Sequence, residues 1–116
     1  MRVLTVRQPW AAMIMCGLKV EEYRKRRLQS GRYAIHAALA KCKVLYPGLE
    51  TYYGQILGTV WIGEAEPMPA GHPFEVWGRW ILPLRGVVRF VTPISARGQQ
   101  GVWHISDRLL EVPTCR

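Results

Sequence analysis

Residues 55–65 read QILGTVWIGEA and give the clearest β-strand signal in the chain. The run is rich in β-branched and apolar side chains, which suit the pleated, half-buried surface of a sheet. Shorter strands are predicted at residues 3–6, 33–37, 77–82, 86–91 and 101–105, and residues 21–26, which alternate poorly in polarity, are also expected to be extended. Turn residues separate them, and Pro83 is expected to end the strand over 77–82. Several short strands of this kind predict one small mixed β-barrel over residues 1–116.

Two short helices complete the predicted α+β fold. Residues 10–16 (WAAMIMC) are apolar on every side, so we expect a buried helix that plugs one end of the barrel. Pro9 suits the first helical position, and Gly17 favours a left-handed C-terminal stop. A second helix is predicted over residues 38–46, and loops over 67–73 and 93–100.

The charge balance indicates a negatively charged partner. Sixteen Lys and Arg residues stand against eight Asp and Glu, which gives a net charge of +8. Twelve of the sixteen are arginines, and the guanidinium group grips phosphate in a bidentate way and stacks on flat rings. A basic surface also raises the local concentration of a polyanion. We therefore expect a polyanionic or nucleotide partner.

Cysteine and histidine spacing argues against a metal site. The cysteines are Cys16, Cys42 and Cys115. Their odd number and wide spacing predict reduced thiols and a cytoplasmic location. The three histidines are far apart in sequence, so neither a metal nor another cofactor is expected. We expect no membrane partner, since no secretory signal opens the chain and no run approaches the ~18 apolar residues of a membrane span.

Residues 17–24 read GLKVEEYR and carry the most informative charges. Side chains alternate faces along a strand, so Glu22 and Arg24 are predicted to point the same way, opposite to Tyr23. Lys19 precedes them at the turn from helix to strand. A carboxylate held between two cations suits a site for phosphate or for the polar edge of a base. The same spacing also fits an ordinary surface ion-pair ladder, which contributes little to stability.

The residues Gly17, Lys19, Glu22 and Arg24 match the pattern G-x-K-x-x-E-x-R of the ASCH family, a branch of the PUA-like superfamily. Residues 4–11 (LTVRQPWA) resemble the opening strand and helix of that family. Residues 98–103 (GQQGVW) resemble the closing strands of its small bacterial and phage members. The chain is thus similar to an ASCH domain from about residue 3 to residue 105.

This resemblance implies a PUA-like barrel whose cleft binds RNA or a nucleoside. The cleft residues that it implies are Arg7, Gln8, Trp10, Lys19, Glu22 and Arg24. The basic run of residues 24–27 adjoins them, and we expect it, with Arg26, to follow an RNA backbone. Trp77 and Trp80 are candidates for the cleft wall, whereas Trp61 and Trp103 are expected in the core. His36 is expected to be a hydrogen-bonded core or rim residue.

The resemblance also implies a possible enzyme. Some small relatives hydrolyse the acetyl amide of N4-acetylcytidine, with a lysine at the position of Lys19 as the proposed nucleophile or base. Glu22 stands where those relatives have a threonine, and Glu64 is the candidate second acid. A lysine is protonated at neutral pH and must lose solvent or meet another cation before it attacks. Two further functions fit a basic cleft: a weak ribonuclease, and an adaptor whose basic face binds an acidic protein.

Overall fold

The computed structural model describes residues 1–42 and 47–115. These residues form seven strands, one α-helix and two short 3-10 helices. In chain order the elements are β1 (Arg2–Val6), α1 (Trp10–Met15), β2 (Glu21–Arg24), β3 (Gly31–Ala37), β4 (Gln55–Ile62), β5 (Glu66–Pro67), a 3-10 helix (Glu75–Trp77), β6 (Trp80–Ser95), β7 (Val102–His104) and a second 3-10 helix (Asp107–Leu110).

The strands form one mixed sheet in the order β2-β6-β4-β3-β1-β7, and β5 also pairs with β6. β1 runs parallel to β3, and every other strand pair is antiparallel. The sheet curls into a half-barrel. The prediction of a small, barrel-like α+β fold is confirmed at this level.

Each face of the sheet carries its own apolar cluster. Neighbouring residues such as Val3 and Leu4 belong to different clusters, because successive side chains of a strand point to opposite faces. The inner cluster, to which Leu4 belongs, packs around α1 and holds its residues Ala11 and Ile14. The outer cluster, to which Val3 belongs, is covered by the C-terminal residues 105–112. The helix therefore packs against one face of the sheet and contributes to the core there.

The helix itself differs from the prediction at its first residue. α1 covers six of the seven residues expected, and Gly17 follows with the predicted left-handed backbone, at a φ of 82°. Trp10, however, is exposed instead of buried. Cys16 is exposed as well, and Met13 is only partly buried. The buried residues of the run WAAMIMC are therefore Ala11, Ala12, Ile14 and Met15.

The longest strand differs from the sequence prediction, which gives two strands over residues 77–82 and 86–91. β6 instead runs without interruption through Pro83. Proline has no N–H to donate, and here only its carbonyl is used, accepting from the Gly63 N–H at 2.8 Å. Gly86, with a φ of 61°, lies where β4 and β6 shift register. A proline and a glycine that read as strand ends thus mark a bend within one strand.

The second predicted helix is wrong where the structure describes it. Residues 38–42 have no helical conformation, and residues 43–46 lie outside the described residues. The predicted loop over 93–100 begins later, because residues 93–95 still belong to β6. Across residues 1–42 and 47–115, no helix has the length and apolar character needed to cross a membrane.

Candidate functional site

A cleft of about 860 Å³ opens beside the beginning of α1, between the end of β1 and strand β2. This volume is in the range of sites that hold small ligands. Its lining consists of Thr5, Val6, Arg7, Trp10, Met13, Leu18, Lys19, Val20, Glu21, Glu22, Tyr23, Arg24, Lys25, Phe74 and Trp77. Most of residues 17–24, which carry the informative charges, therefore face one open hollow.

The carboxylate of Glu22 organises the bottom of the cleft. Its Oε1 accepts from the Tyr23 backbone N–H at 3.2 Å and lies 3.5 Å from Lys19 Nζ. Its Oε2 accepts from Arg24 Nε at 3.2 Å and Nη2 at 2.9 Å. Three hydrogen bonds and one ion pair therefore engage both oxygens of this carboxylate. We call Lys19, Glu22 and Arg24 together the cationic floor.

Strand geometry explains why these three side chains meet. Glu22 and Arg24 are two residues apart on β2 and so point to the same face. The turn after α1 brings Lys19 to that face, and its backbone N–H donates to the Met13 carbonyl at 3.1 Å. The floor lies deep, since the side chains of Lys19 and Arg24 are only 13% and 28% exposed.

Arg24 also joins two strands that are not neighbours in the sheet. Its Nη2 donates to the Thr5 carbonyl on β1 at 3.0 Å, in addition to its bond with Glu22. β2 stands at one end of the sheet and β1 near the other, so this bond spans the open side of the half-barrel. Nη1 makes no hydrogen bond with any described residue. Arg24 therefore has both a structural contact and spare donors.

Tyr23 connects the cationic floor to the rim. Lys19 Nζ lies 4.6 Å from the centre of the Tyr23 ring, a cation–π contact. The phenol donates to Glu21 Oε1 at 3.3 Å. Burial raises the pKa of Tyr23 above its usual 10.0, and the charge of Glu21, the hydrogen bond to it and the charge of Glu22 add to the shift. Tyr23 thus stays a neutral hydrogen-bond donor to higher pH than an ordinary tyrosine.

Exposed aromatic rings form one side of the cleft, which we call the aromatic wall: Trp10, Phe74 and Trp77. Their exposed fractions are 39%, 45% and 57%, which are large for aromatic residues. The rings of Trp10 and Trp77 lie 6.0 Å apart at 59°, and Phe74 lies 5.2 Å from Tyr23. Flat apolar surface therefore stands directly beside the cationic floor.

Gly78 fixes the aromatic wall against β2. A Cβ at this position would lie 2.6 Å from the backbone nitrogen of Arg24, so the segment approaches β2 more closely than any other residue type allows. The next residue, Arg79, donates its backbone N–H to the Arg24 carbonyl at 3.0 Å. The wall and the cationic floor are thus attached to the same strand residue.

Some of the remaining predicted site residues line the cleft, and others lie outside it. Arg7 is exposed and lines the cleft, as does Lys25 of the predicted basic run. Gln8 does not line it, because its buried amide donates to the Tyr52 carbonyl at 2.8 Å and accepts from the Ala12 N–H at 2.9 Å. Arg26 is exposed outside the lining.

Glu64 lies apart from the cationic floor. It is exposed and forms an ion pair with Arg27 Nη2 at 2.6 Å, and neither residue lines the cleft. Of the two tryptophans proposed for the wall, Trp77 is there, whereas Trp80 packs against the inner cluster. The wall residue that the sequence analysis missed is Phe74. The sequence indicates a special role for Phe74 only through its large apolar side chain directly after the Pro/Gly-rich residues 67–73.

His36 is enclosed by its own partners. Its Nε2 donates to the Ala96 carbonyl at 2.8 Å, which leaves Nδ1 of the neutral ring to accept from the Thr5 hydroxyl at 3.3 Å. Trp103 donates its Nε1 proton to the same hydroxyl at 2.9 Å and packs edge-on against the imidazole. His36 is thus a hydrogen-bonded core residue, and Trp103 is buried beside it.

Among residues 1–42 and 47–115, no group of three or more His, Cys, Asp and Glu side chains is arranged to hold a metal ion. The residues that line the cleft offer cationic hydrogen-bond donors and exposed aromatic rings. Comparison of the chain with protein-family models and with curated proteins finds no match.

Proposed function

We propose that the chain is a PUA-like domain of the ASCH type that binds RNA or a nucleotide in this cleft. The observation that carries the proposal is the cationic floor, two cations fixed on one buried carboxylate at the bottom of an open hollow. An aromatic wall beside it suits a nucleobase, since every base has a flat face that stacks on such rings. The G-x-K-x-x-E-x-R residues supply the floor, which agrees with the resemblance to the family.

The charges around the cleft suit a nucleic-acid backbone. Arg7 and Lys25 border the hollow, and the basic run of residues 24–27 leads away from it. With the net charge of +8, these groups attract phosphates and release their counterions on binding. A single strand fits the arrangement better than a duplex, because an unpaired base has its face and edge free to enter a hollow.

The contacts of Lys19 favour binding over hydrolysis. An ion pair with Glu22 and a cation–π contact with Tyr23 suit an ammonium group that anchors a ligand, not an amine that attacks one. The candidate second acid, Glu64, pairs with Arg27 away from the cleft. Of the three residues that the resemblance implies for an amidohydrolase, only Lys19 and Glu22 therefore line the cleft.

The test is binding of short single-stranded RNA, measured by fluorescence anisotropy over a series of salt concentrations. We expect affinity to fall as salt rises, by a slope of about 0.7 in log K per phosphate gripped. Lys19→Ala should weaken binding by about tenfold or more, since a hydrogen bond to a charged group contributes about 1.5–3 kcal/mol. Arg108→Ala is the matched control, because it removes one exposed positive charge outside the cleft lining.

Four outcomes would contradict the proposal. Absence of RNA binding would remove it, and so would binding that Lys19→Ala and Arg108→Ala weaken equally. Hydrolysis of N4-acetylcytidine that Lys19→Ala abolishes, in a protein that does not retain RNA, would replace it with the amidohydrolase. Capture of an acidic protein that nucleotides do not displace would favour the adaptor.

A further inference from the structure

The cationic floor presents hydrogen-bond donors to a guest but no acceptor. Both oxygens of Glu22 are already occupied by the Tyr23 N–H, Lys19 and Arg24. A charge-neutralising carboxylate usually offers acceptor sites to its surroundings, but both oxygens of Glu22 are turned to partners within the protein. The floor therefore favours a guest that presents hydrogen-bond acceptors, a preference that its net charge alone does not predict.

Donors remain on both cations. Lys19 Nζ carries three protons and has one ion-pair contact among the described residues. Arg24 Nη1 has no hydrogen-bond partner among them. The other carboxylate of the lining, Glu21, follows the alternation of β2 onto the face of Tyr23 and bonds the phenol there. A guest that reaches the floor thus meets N–H groups from two neighbouring cations.

The four RNA bases differ in how well they match two adjacent donors. Guanine presents O6 and N7 side by side, two acceptors without a donor between or beside them on that edge. Adenine places its N6 amino group next to N7, and cytosine carries its N4 amino group on the corresponding edge. Uracil offers a single carbonyl, O4, there. Arginine or lysine on guanine O6 and N7 is also the commonest base-specific contact in nucleic-acid complexes.

From these contacts we infer that the cleft selects guanine, with O6 and N7 facing Lys19 and Arg24 and the ring stacked on the aromatic wall. The inference rests on the proposed function and specifies the base that the same site takes. The cleft volume of about 860 Å³ is sufficient for one nucleotide. The guanine edge that carries donors then faces away from the floor, towards the rim.

The test compares single-stranded tetranucleotides UUXU in which only the base X changes, with affinity measured by calorimetry or anisotropy. X is guanine, hypoxanthine, 7-deazaguanine, adenine, cytosine, uracil or an abasic sugar. Hypoxanthine keeps O6 and N7 and should bind like guanine. Adenine, cytosine and 7-deazaguanine should bind more weakly by about 5- to 150-fold, the range for a bidentate base contact. The abasic strand should bind most weakly, because it also loses stacking.

A variant links the selectivity to the floor. Lys19→Met removes the donor and keeps much of the side-chain volume, so it should reduce the ratio of guanine to adenine affinity towards one. Arg108→Ala should leave that ratio unchanged. If the ratio persists in Lys19→Met, the floor does not read the base and the inference is wrong.

The possible failures separate the inference from the proposed function. Equal affinity for all six bases, with binding still lost in Lys19→Ala, would overturn the selectivity and leave the RNA cleft in place. An abasic strand that binds as well as the guanine strand would show that the floor takes phosphate, which also overturns the selectivity. If no strand binds at all, both proposals fail together.

Discussion

Glu22 and His36 are both buried polar residues within the same sheet, yet their surroundings have opposite consequences. His36 donates and accepts entirely within the protein, and Trp103 and Gly98 close over its ring. Glu22 is equally satisfied, but its partners Lys19 and Arg24 border an open cleft and keep unused donors. Burial and complete hydrogen bonding thus do not identify a functional residue. What distinguishes the two is whether the partners have bonding capacity left for a guest.

The largest effect that tests this comparison is expected at His36. His36→Ala removes a buried ring and leaves the Ala96 carbonyl and the Thr5 hydroxyl without their partner. We expect a loss of about 2–4 kcal/mol in the free energy of unfolding, from the cavity and the unpaired polar groups together. Urea denaturation measures the loss. RNA affinity of the folded fraction should stay close to that of the wild type, and a selective loss of affinity would contradict the core role.

Glu22→Gln sharpens the comparison because simple electrostatics and the geometry predict opposite results. Removing a negative charge raises the net charge of the cleft, so Coulomb attraction alone predicts tighter RNA binding. We expect instead weaker binding by about tenfold, since an amide cannot hold both cations and its NH₂ group faces their donors. The cost in stability should be only about 1–2 kcal/mol, because Lys19 and Arg24 reach solvent.

Anisotropy and urea denaturation on the same Glu22→Gln sample separate the two effects. Glu64→Gln is the matched control, because it makes the same change in an exposed ion pair. Tighter binding by Glu22→Gln would show that the carboxylate merely opposes the ligand and does not position the cations.

Gly78→Ala tests the aromatic wall without replacing a residue of the cationic floor. The new Cβ would overlap the Arg24 backbone, so the segment carrying Phe74 and Trp77 must move away from β2. We expect RNA affinity to fall by about 5- to 10-fold, in the lower part of the range of a lost base–aromatic stack. Gly71→Ala is the control, because its position is open although its φ of 80° disfavours alanine. Equal effects of both changes would indicate general loosening of the loop.

The smallest expected effect concerns pH. The folded protein raises the pKa of Tyr23 above 10.0, chiefly by burial and then by Glu21. The folded state therefore holds this proton more tightly than the unfolded state does. The stability that this contributes is complete below about pH 10 and is lost as the pH rises through the higher, folded value.

Absorbance titration of tyrosine ionisation, together with urea denaturation at alkaline pH, measures this effect. Tyr23→Phe should remove a late-ionising group and flatten the loss of stability above pH 10. Tyr52→Phe is a useful comparison, because the pKa of Tyr52 is also raised, first by its hydrogen bond to Glu50. An unchanged titration in Tyr23→Phe would contradict the assignment.

The sequence predicts the cationic floor well because all of its geometry is local. Alternation along β2 places Glu22 and Arg24 on one face, and the glycine stop after α1 brings Lys19 beside them. The same local rules predict β1, α1, β3 and β4 nearly to their observed ends. A site formed by one turn and one strand can be inferred without knowing how the rest of the chain packs.

The aromatic wall and the course of β6 depend on contacts distant in sequence. Phe74 and Trp77 reach the cleft only because Gly78 packs against Arg24, about fifty residues earlier, and no local pattern encodes that approach. Pro83 reads as a strand end because its missing N–H is visible in the sequence. The sequence does not show that the Pro83 carbonyl accepts a hydrogen bond from the Gly63 N–H. Gln8 is expected in the cleft for the same reason, because its hydrogen bond to the Tyr52 carbonyl joins residues distant in sequence.

β1 lies between β3 and β7, so one of its neighbours is distant from it in sequence. During synthesis, residues 2–6 leave the ribosome well before residues 102–104, and until those emerge one edge of the strand has no partner. An unpaired strand edge of this kind can pair with another chain and cause aggregation. Strand pairing between residues so far apart in sequence also forms slowly. Because Arg24 bonds the carbonyl of Thr5 on that same strand, the cleft can reach its final shape only after the last strand is in place.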